Sequence, residues 1–180
     1  MPQNFREMWG QIARIFMPGG ELSSALSSFE DRPGQRDMAQ TVFQAFAQQC
    51  IAVIEAGTGT GKTLAYLIPS LFFSLAYDEP IVISTRTINL QEQLIFKDIP
   101  LLKDITGQNF LAVLVKGWNN YLCLRRLNAL RQGSELLMFE EMQFLNRLID
   151  WVERHDSGSK SDFNFEVTLS LWDKIMADPS

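Results

Sequence analysis

Apolar residues in this chain recur first at helical spacing and then as short continuous runs, and the alternation of the two patterns predicts its elements. Phe5, Met8, Trp9, Ile12, Ile15 and Phe16 share one helical face, and Pro18-Gly19-Gly20 ends that helix. The serine-rich piece Leu22 to Ser28 leads into Phe29-Glu30-Asp31-Arg32-Pro33-Gly34, where a turn is expected before a helix from Asp37 to Gln49. Ile51-Ala52-Val53-Ile54 reads as a strand, followed by a glycine-rich loop and a helix from Lys62 to Ala76. Ile81-Val82-Ile83 and Leu111 to Val115 read as two more strands, each with a helix after it; Leu90, Leu94 and Ile95 mark the first of these helices. Strands alternating with helices predict an α/β fold, a parallel sheet covered by helices on both faces.

From Leu136 the pattern is helical only, with Leu137, Phe139, Phe144, Leu145, Leu148, Ile149 and Val152 forming an apolar stripe. Asp156 to Asp162 reads as a polar linker, and Leu169, Leu171, Trp172 and Ile175 as a last helix. That helix runs into Pro179-Ser180 with no closing element, so the domain is expected to continue. Phe72, Phe73, Met138 and Trp151 are expected in the core, and the lone His155, between Arg154 and Asp156, in solvent.

Composition narrows the classes. With 180 residues and 46% hydrophobic, the chain can bury one substantial core. Its net charge of −5 provides no global attraction for nucleic acid, so any such contact has to be local. Two cysteines, Cys50 and Cys123, are too few for a disulfide framework and fit a reducing compartment. No signal-like stretch opens the chain and no run approaches the roughly twenty apolar residues of a membrane span, so a cytoplasmic protein without membrane contact is expected.

The chemistry concentrates in Ala56-Gly57-Thr58-Gly59-Thr60-Gly61-Lys62-Thr63, between an expected strand and an expected helix. Glycines let backbone N–H groups face inward, and the helix N-terminus adds partial positive charge, so a polyphosphate is the natural occupant. Lys62 is placed to reach the β- and γ-phosphates, and the Thr63 hydroxyl to ligate the bridging Mg²⁺. Alanine replaces the first glycine of the strict pattern at Ala56. The loop names a nucleotide site but not its use; a P-loop kinase or a nucleotide-dependent switch is the alternative to a motor.

Four segments, in order, resemble DinG-type helicases, superfamily 2 DNA helicases related to XPD. They are Phe29 to Met38, Glu55 to Thr63, Ile83 to Leu94 and Lys116-Gly117-Trp118-Asn119-Asn120-Tyr121-Leu122-Cys123, and the likeness runs from Leu22 to the end of the chain. The resemblance implies a RecA-like fold and an ATP-dependent, monomeric motor moving 5′-to-3′ on single-stranded DNA in repair or replication. By the same resemblance, residues 1–28 are an N-terminal helix and linker, 29–133 the first part of motor domain 1, and 134–180 a helical insertion leading into an iron–sulfur domain.

Residue by residue, the resemblance puts Arg32 and Gln35 at the nucleotide, with the Gln35 amide reading the adenine edge. It assigns Thr85, Arg86, Thr87 and Gln93 to the DNA backbone; taken alone, Ser84 or Thr87 also suits a helix N-cap. Cys123 falls where the family has the first thiolate of a [4Fe–4S] cluster, and Trp118 where relatives often carry a basic residue. Hydrolysis by this class also needs an Asp-Glu pair and arginines from a second motor domain. Neither is found in the chain, so these residues alone are expected to bind nucleotide weakly and turn over little.

Overall fold

A computed structural model describes residues 3–133 and 139–178. Leu136, Leu137 and Met138 of the expected stripe and core, and the terminal Pro179-Ser180, lie outside the described residues. The described elements are α1 (Gln3–Ile15), α2 (Glu21–Ala25), α3 (Pro33–Gln48), α4 (Lys62–Tyr77), α5 (Ile88–Gln93), a π-helical turn (Leu94–Asp98), α6 (Ile99–Thr106), α7 (Leu124–Gln132), α8 (Phe139–Val152) and α9 (Leu169–Ile175). Short 3₁₀ turns occupy Trp118–Asn120 and Lys160–Asp162. The chain divides into two compact units, Met1–Leu114 and Val115–Ser180.

In the first unit, the apolar face read from the sequence is the face α1 buries. Met8, Ile12, Ile15 and Phe16 join Ala39 and Phe43 of α3 and Leu64, Ala65, Leu67, Ile68 and Leu71 of α4 in one core. Fully burying side chains such as Ile12 and Ile68 contributes about 1.5–3 kcal/mol each. Aromatic rings extend the contact: Phe73 stacks on Phe46 at 4.7 Å and on Tyr77 at 4.4 Å. The helix α3 starts at Pro33, four residues earlier than the sequence pattern suggests. Proline has no N–H to leave unpaired in a first turn, and its fixed φ already suits a helix.

The expected parallel sheet is not formed. Among the described residues there is no strand ladder, and the three apolar runs are non-helical chain that belongs to none. Ile51 is 95% exposed, Val53 96%, Val82 90% and Leu111 89%, so these side chains face water rather than a core. The reason is that a strand exists only with a neighbour about 4.7–4.9 Å away to pair its N–H and C=O groups. The three runs here do not pair with one another, and α1, α3 and α4 bury their apolar faces against each other instead. The RecA-like parallel sheet with helices on both faces is therefore corrected to helices joined by extended segments.

The second unit has its own core of Leu127, Phe144, Leu145, Leu148, Leu171, Trp172 and Ile175. Two isolated antiparallel bridges, Tyr121 with Ser159 and Leu122 with Met176, tie the Lys116–Cys123 segment to the C-terminal residues. Trp172 donates its indole N–H to the Asn119 carbonyl at 2.7 Å, which satisfies the one polar atom of a buried ring. The polar stretch expected as a linker is structured: buried Lys116 donates from Nζ to Ser161 Oγ at 2.7 Å, and Ser159 and Ser161 share a hydrogen bond. His155 is exposed but not unengaged, since its ring lies flat on Trp151 at 4.5 Å and its Nδ1 lies 2.8 Å from the Trp151 carbonyl oxygen.

Candidate nucleotide-binding site

The loop from Ala56 to Thr63 takes its shape from two glycines. Gly59 has φ +80° and Gly61 φ +78°, in the left-handed region that a residue with a Cβ adopts only at a cost. Gly61 is the N-cap of α4, and no side chain caps that helix, which leaves amides at its N-terminus available to an anion. A Cβ placed on Gly57 or Gly59 would meet nothing within 4 Å, so the backbone there is open to close approach. Thr60 braces the loop by donating from Oγ1 to the Gly57 carbonyl at 2.8 Å.

Lys62 is exposed, and its ammonium folds back on the loop, donating to the Ala56 carbonyl at 2.9 Å and the Gly57 carbonyl at 2.6 Å. Neutral carbonyls are weaker acceptors for an ammonium than phosphate oxygens, so these contacts can be exchanged for a charge-assisted pair. Thr63 is the second residue of α4 and is half-buried. Burial pushes the Tyr66 hydroxyl above its ordinary pKa; the Thr63 side chain opposes this, and the Asp98 charge adds to it.

Gln35 comes to this loop across the core. Its side chain is buried, and Nε2 donates to the Gly61 carbonyl at 2.9 Å. Arg32, the N-cap of α3, turns to Glu30, with its guanidinium 3.0 Å from the carboxylate. Of the residues assigned to nucleotide, the structure thus brings Gln35, Ala56, Gly57, Thr58, Gly59, Thr60, Gly61, Lys62 and Thr63 together, and pairs Arg32 with its neighbour.

The segment assigned to DNA forms the start of α5. Thr87 is its N-cap, accepting at Oγ1 from the Leu90 N–H at 3.3 Å, while Thr85 donates to the Thr87 carbonyl at 3.1 Å. Arg86 is exposed. Gln93 ends α5 and donates from Nε2 to Asp98 at 3.2 Å. Sequence reasoning passed over Asp98, a buried carboxylate at the end of the π-helical turn, and Tyr66.

Cys123, in the second unit, is the N-cap of α7. The amide of Arg126 holds its thiol below the ordinary value, against a small opposing effect of burial, with the Arg125 amide and both guanidinium charges assisting. A [4Fe–4S] cluster needs four protein ligands, generally thiolates. Among the described residues no group of three or more cysteine, histidine or acidic side chains that could hold a metal ion is gathered. No helix among the described residues is long and apolar enough to cross a membrane.

No protein-family model matches the chain. It is 46% identical over 160 residues to the ATP-dependent DNA helicase YoaA of Haemophilus influenzae, across 89% of this chain and 24% of that protein. It is 46% identical over 162 residues to the ATP-dependent helicase DinG of Mycobacterium tuberculosis, across 80% of this chain and 24% of that protein. With the 3′-5′ exonuclease DinG of Bacillus subtilis the identity is 32% over 158 residues, across 87% of this chain and 17% of that protein. The chain spans about a quarter or less of the length of these curated relatives. Over most of its length the chain is thus similar to proteins named as DinG and YoaA helicases.

Proposed function

We propose that this chain is the nucleotide-gripping part of an ATP-dependent DNA helicase, and that its loop Ala56 to Thr63 binds the triphosphate of ATP. The observation that carries the reading is the left-handed Gly61, which turns the chain into α4 with Lys62 and Thr63 at its first two positions. Phosphate oxygens arriving there replace the carbonyls of Ala56 and Gly57 as partners of the Lys62 ammonium, and the helix terminus adds favourable partial charge. Thr63 presents the hydroxyl suited to Mg²⁺. When bound, that ion neutralises charge on the β- and γ-phosphates. Gln35 fixes the loop's exit through Gly61, and its amide is the group proposed to face adenine.

The whole protein is proposed to couple ATP hydrolysis to movement along single-stranded DNA. Thr85, Arg86, Thr87 and Gln93, around the start and end of α5, are the proposed contacts to the strand. Hydroxyl, amide and guanidinium contacts to phosphate carry no base information, which suits a motor that steps along any sequence. The relatives named as DNA helicases support this assignment. The test is ATP hydrolysis by the full-length protein with and without single-stranded DNA. Stimulation by DNA, abolished in Lys62→Ala, is expected; phosphate transfer to a small acceptor with no response to DNA would overturn the reading.

A further inference from the structure

The chain has four tryptophans, and three of them are packed: Trp9 lies against Phe43 at 5.5 Å, and Trp151 and Trp172 are buried. Trp118 is 65% exposed. Its backbone is nonetheless firmly held. The Asn120 and Tyr121 N–H groups donate to the Gly117 and Trp118 carbonyls, each at 2.9 Å, which closes the 3₁₀ turn Trp118–Asn120. Asn120 Nδ2 adds a bond to the Gly117 carbonyl at 3.1 Å. The Asn119 carbonyl accepts from the indole of buried Trp172 at 2.7 Å, and the Tyr121 hydroxyl accepts from the Lys116 N–H at 2.8 Å. The residues on either side of Trp118 are thus tied to the second unit, while the indole stays in water. A large planar ring on a backbone already ordered loses little further freedom when a flat ligand covers it.

Charge narrows the ligand. From Val115 to Gly133 the sequence carries Lys116, Arg125, Arg126 and Arg131 and no acidic residue, within a chain of net charge −5. Lys116 Nζ donates to Ser161, and Arg126 to the Met176 carbonyl and Asp178. Arg125 and Arg131 are exposed on α7, which begins at Leu124. Exposed guanidinium groups in an acid-free stretch attract a polyanion, and an aromatic face accepts a base of any identity. We propose that Trp118 is a base-stacking residue for single-stranded DNA, its indole covered by one base while the exposed arginines of α7 attract the strand's backbone. The inference rests on the reading of the whole protein as a motor on single-stranded DNA, and it adds a contact in the second unit to those proposed in the first. Every base has a π-face, so a stacking contact suits stepping along any sequence. A base inside a duplex has both faces covered by its neighbours, so Trp118 favours an unpaired strand.

The test uses the full-length protein and two fluorescently labelled strands of equal length and phosphate count, oligothymidine and an abasic strand, with binding read by anisotropy. Trp118→Ala is expected to weaken binding of oligothymidine by at least about fivefold and to leave binding of the abasic strand unchanged. The salt dependence should be the same in both proteins, because no phosphate contact is removed. Trp118→Phe keeps a ring and should retain most of the preference for oligothymidine; Trp118→Leu keeps an apolar side chain without a π-face and should lose it. The side chain is mostly in water, so all three variants are expected to unfold at the temperature of the unsubstituted protein. Equal affinities of Trp118→Ala and the unsubstituted protein for oligothymidine, the result expected of a protein-docking ring, would overturn the stacking proposal and leave the motor reading intact. So would equal behaviour of the Phe and Leu variants. Absence of binding of either strand by the unsubstituted protein would instead overturn the reading as a DNA motor, and the stacking contact with it.

Discussion

The Gln35 side chain donates its amide hydrogen to the Gly61 carbonyl at 2.9 Å, joining the first turn of α3 to the N-cap of α4. The contact is close enough that a Cβ on Gly61 would lie 2.3 Å from Gln35 Nε2. Gly61 is thus constrained twice, by φ +78° and by the glutamine against it. Gly61→Ala is expected to displace Gln35, lower stability by about 1–3 kcal/mol, and weaken nucleotide binding. Gln35→Ala should relieve the clash and recover part of the stability, leaving only the cost of the left-handed alanine. Thermal unfolding of the two single variants and the double variant measures that coupling.

The relationship also shows what the sequence makes legible. The helices at 3–15, 33–48 and 62–77 were readable because their apolar spacing is local, and so was the loop, whose glycines and Lys62-Thr63 sit together in the chain. No local pattern marks the Gln35 contact to Gly61, because the two residues lie 26 apart in the chain. The expected sheet is absent because continuous apolar runs and β-branching at Ile51, Val53 and Val82 report a preference for extended backbone, whereas a sheet requires a paired neighbour that no local pattern specifies. Asp98 was invisible for a related reason: the register change at the π-helical turn moves it inward, and a charged residue after Lys97 reads as solvent-facing.

The exposure of the extended segments has its own consequence. In the 180-residue chain, Val82→Asp is expected to change stability by no more than about 0.5 kcal/mol, because the side chain gives up no packing. By contrast Leu148→Ala, at a fully buried position of α8, should cost about 2–5 kcal/mol. Chemical denaturation of the two variants compares them directly. Equal, large losses at both positions would mean that Val82 is packed.

At Cys123 the sign of the pKa shift sets a pH profile. The thiol is held below its ordinary value, so its thiolate persists as pH falls, and the alkylation midpoint should lie below the roughly 8.5 of a free thiol. The largest cause is the Arg126 amide and the guanidinium charges are lesser ones, so Arg125→Gln should raise the midpoint only partly. Iodoacetamide labelling as a function of pH, read by mass spectrometry at this residue, checks both statements.

Everything proposed for the motor depends on the loop from Ala56 to Thr63 holding a triphosphate. Titration calorimetry of the full-length protein with a non-hydrolysable ATP analogue and Mg²⁺ measures this most directly. Saturable binding is expected, with a loss of at least about tenfold in Lys62→Ala, since the ammonium's phosphate contacts cannot be replaced by a methyl group. No detectable binding, or equal affinity in the two proteins, would contradict the account.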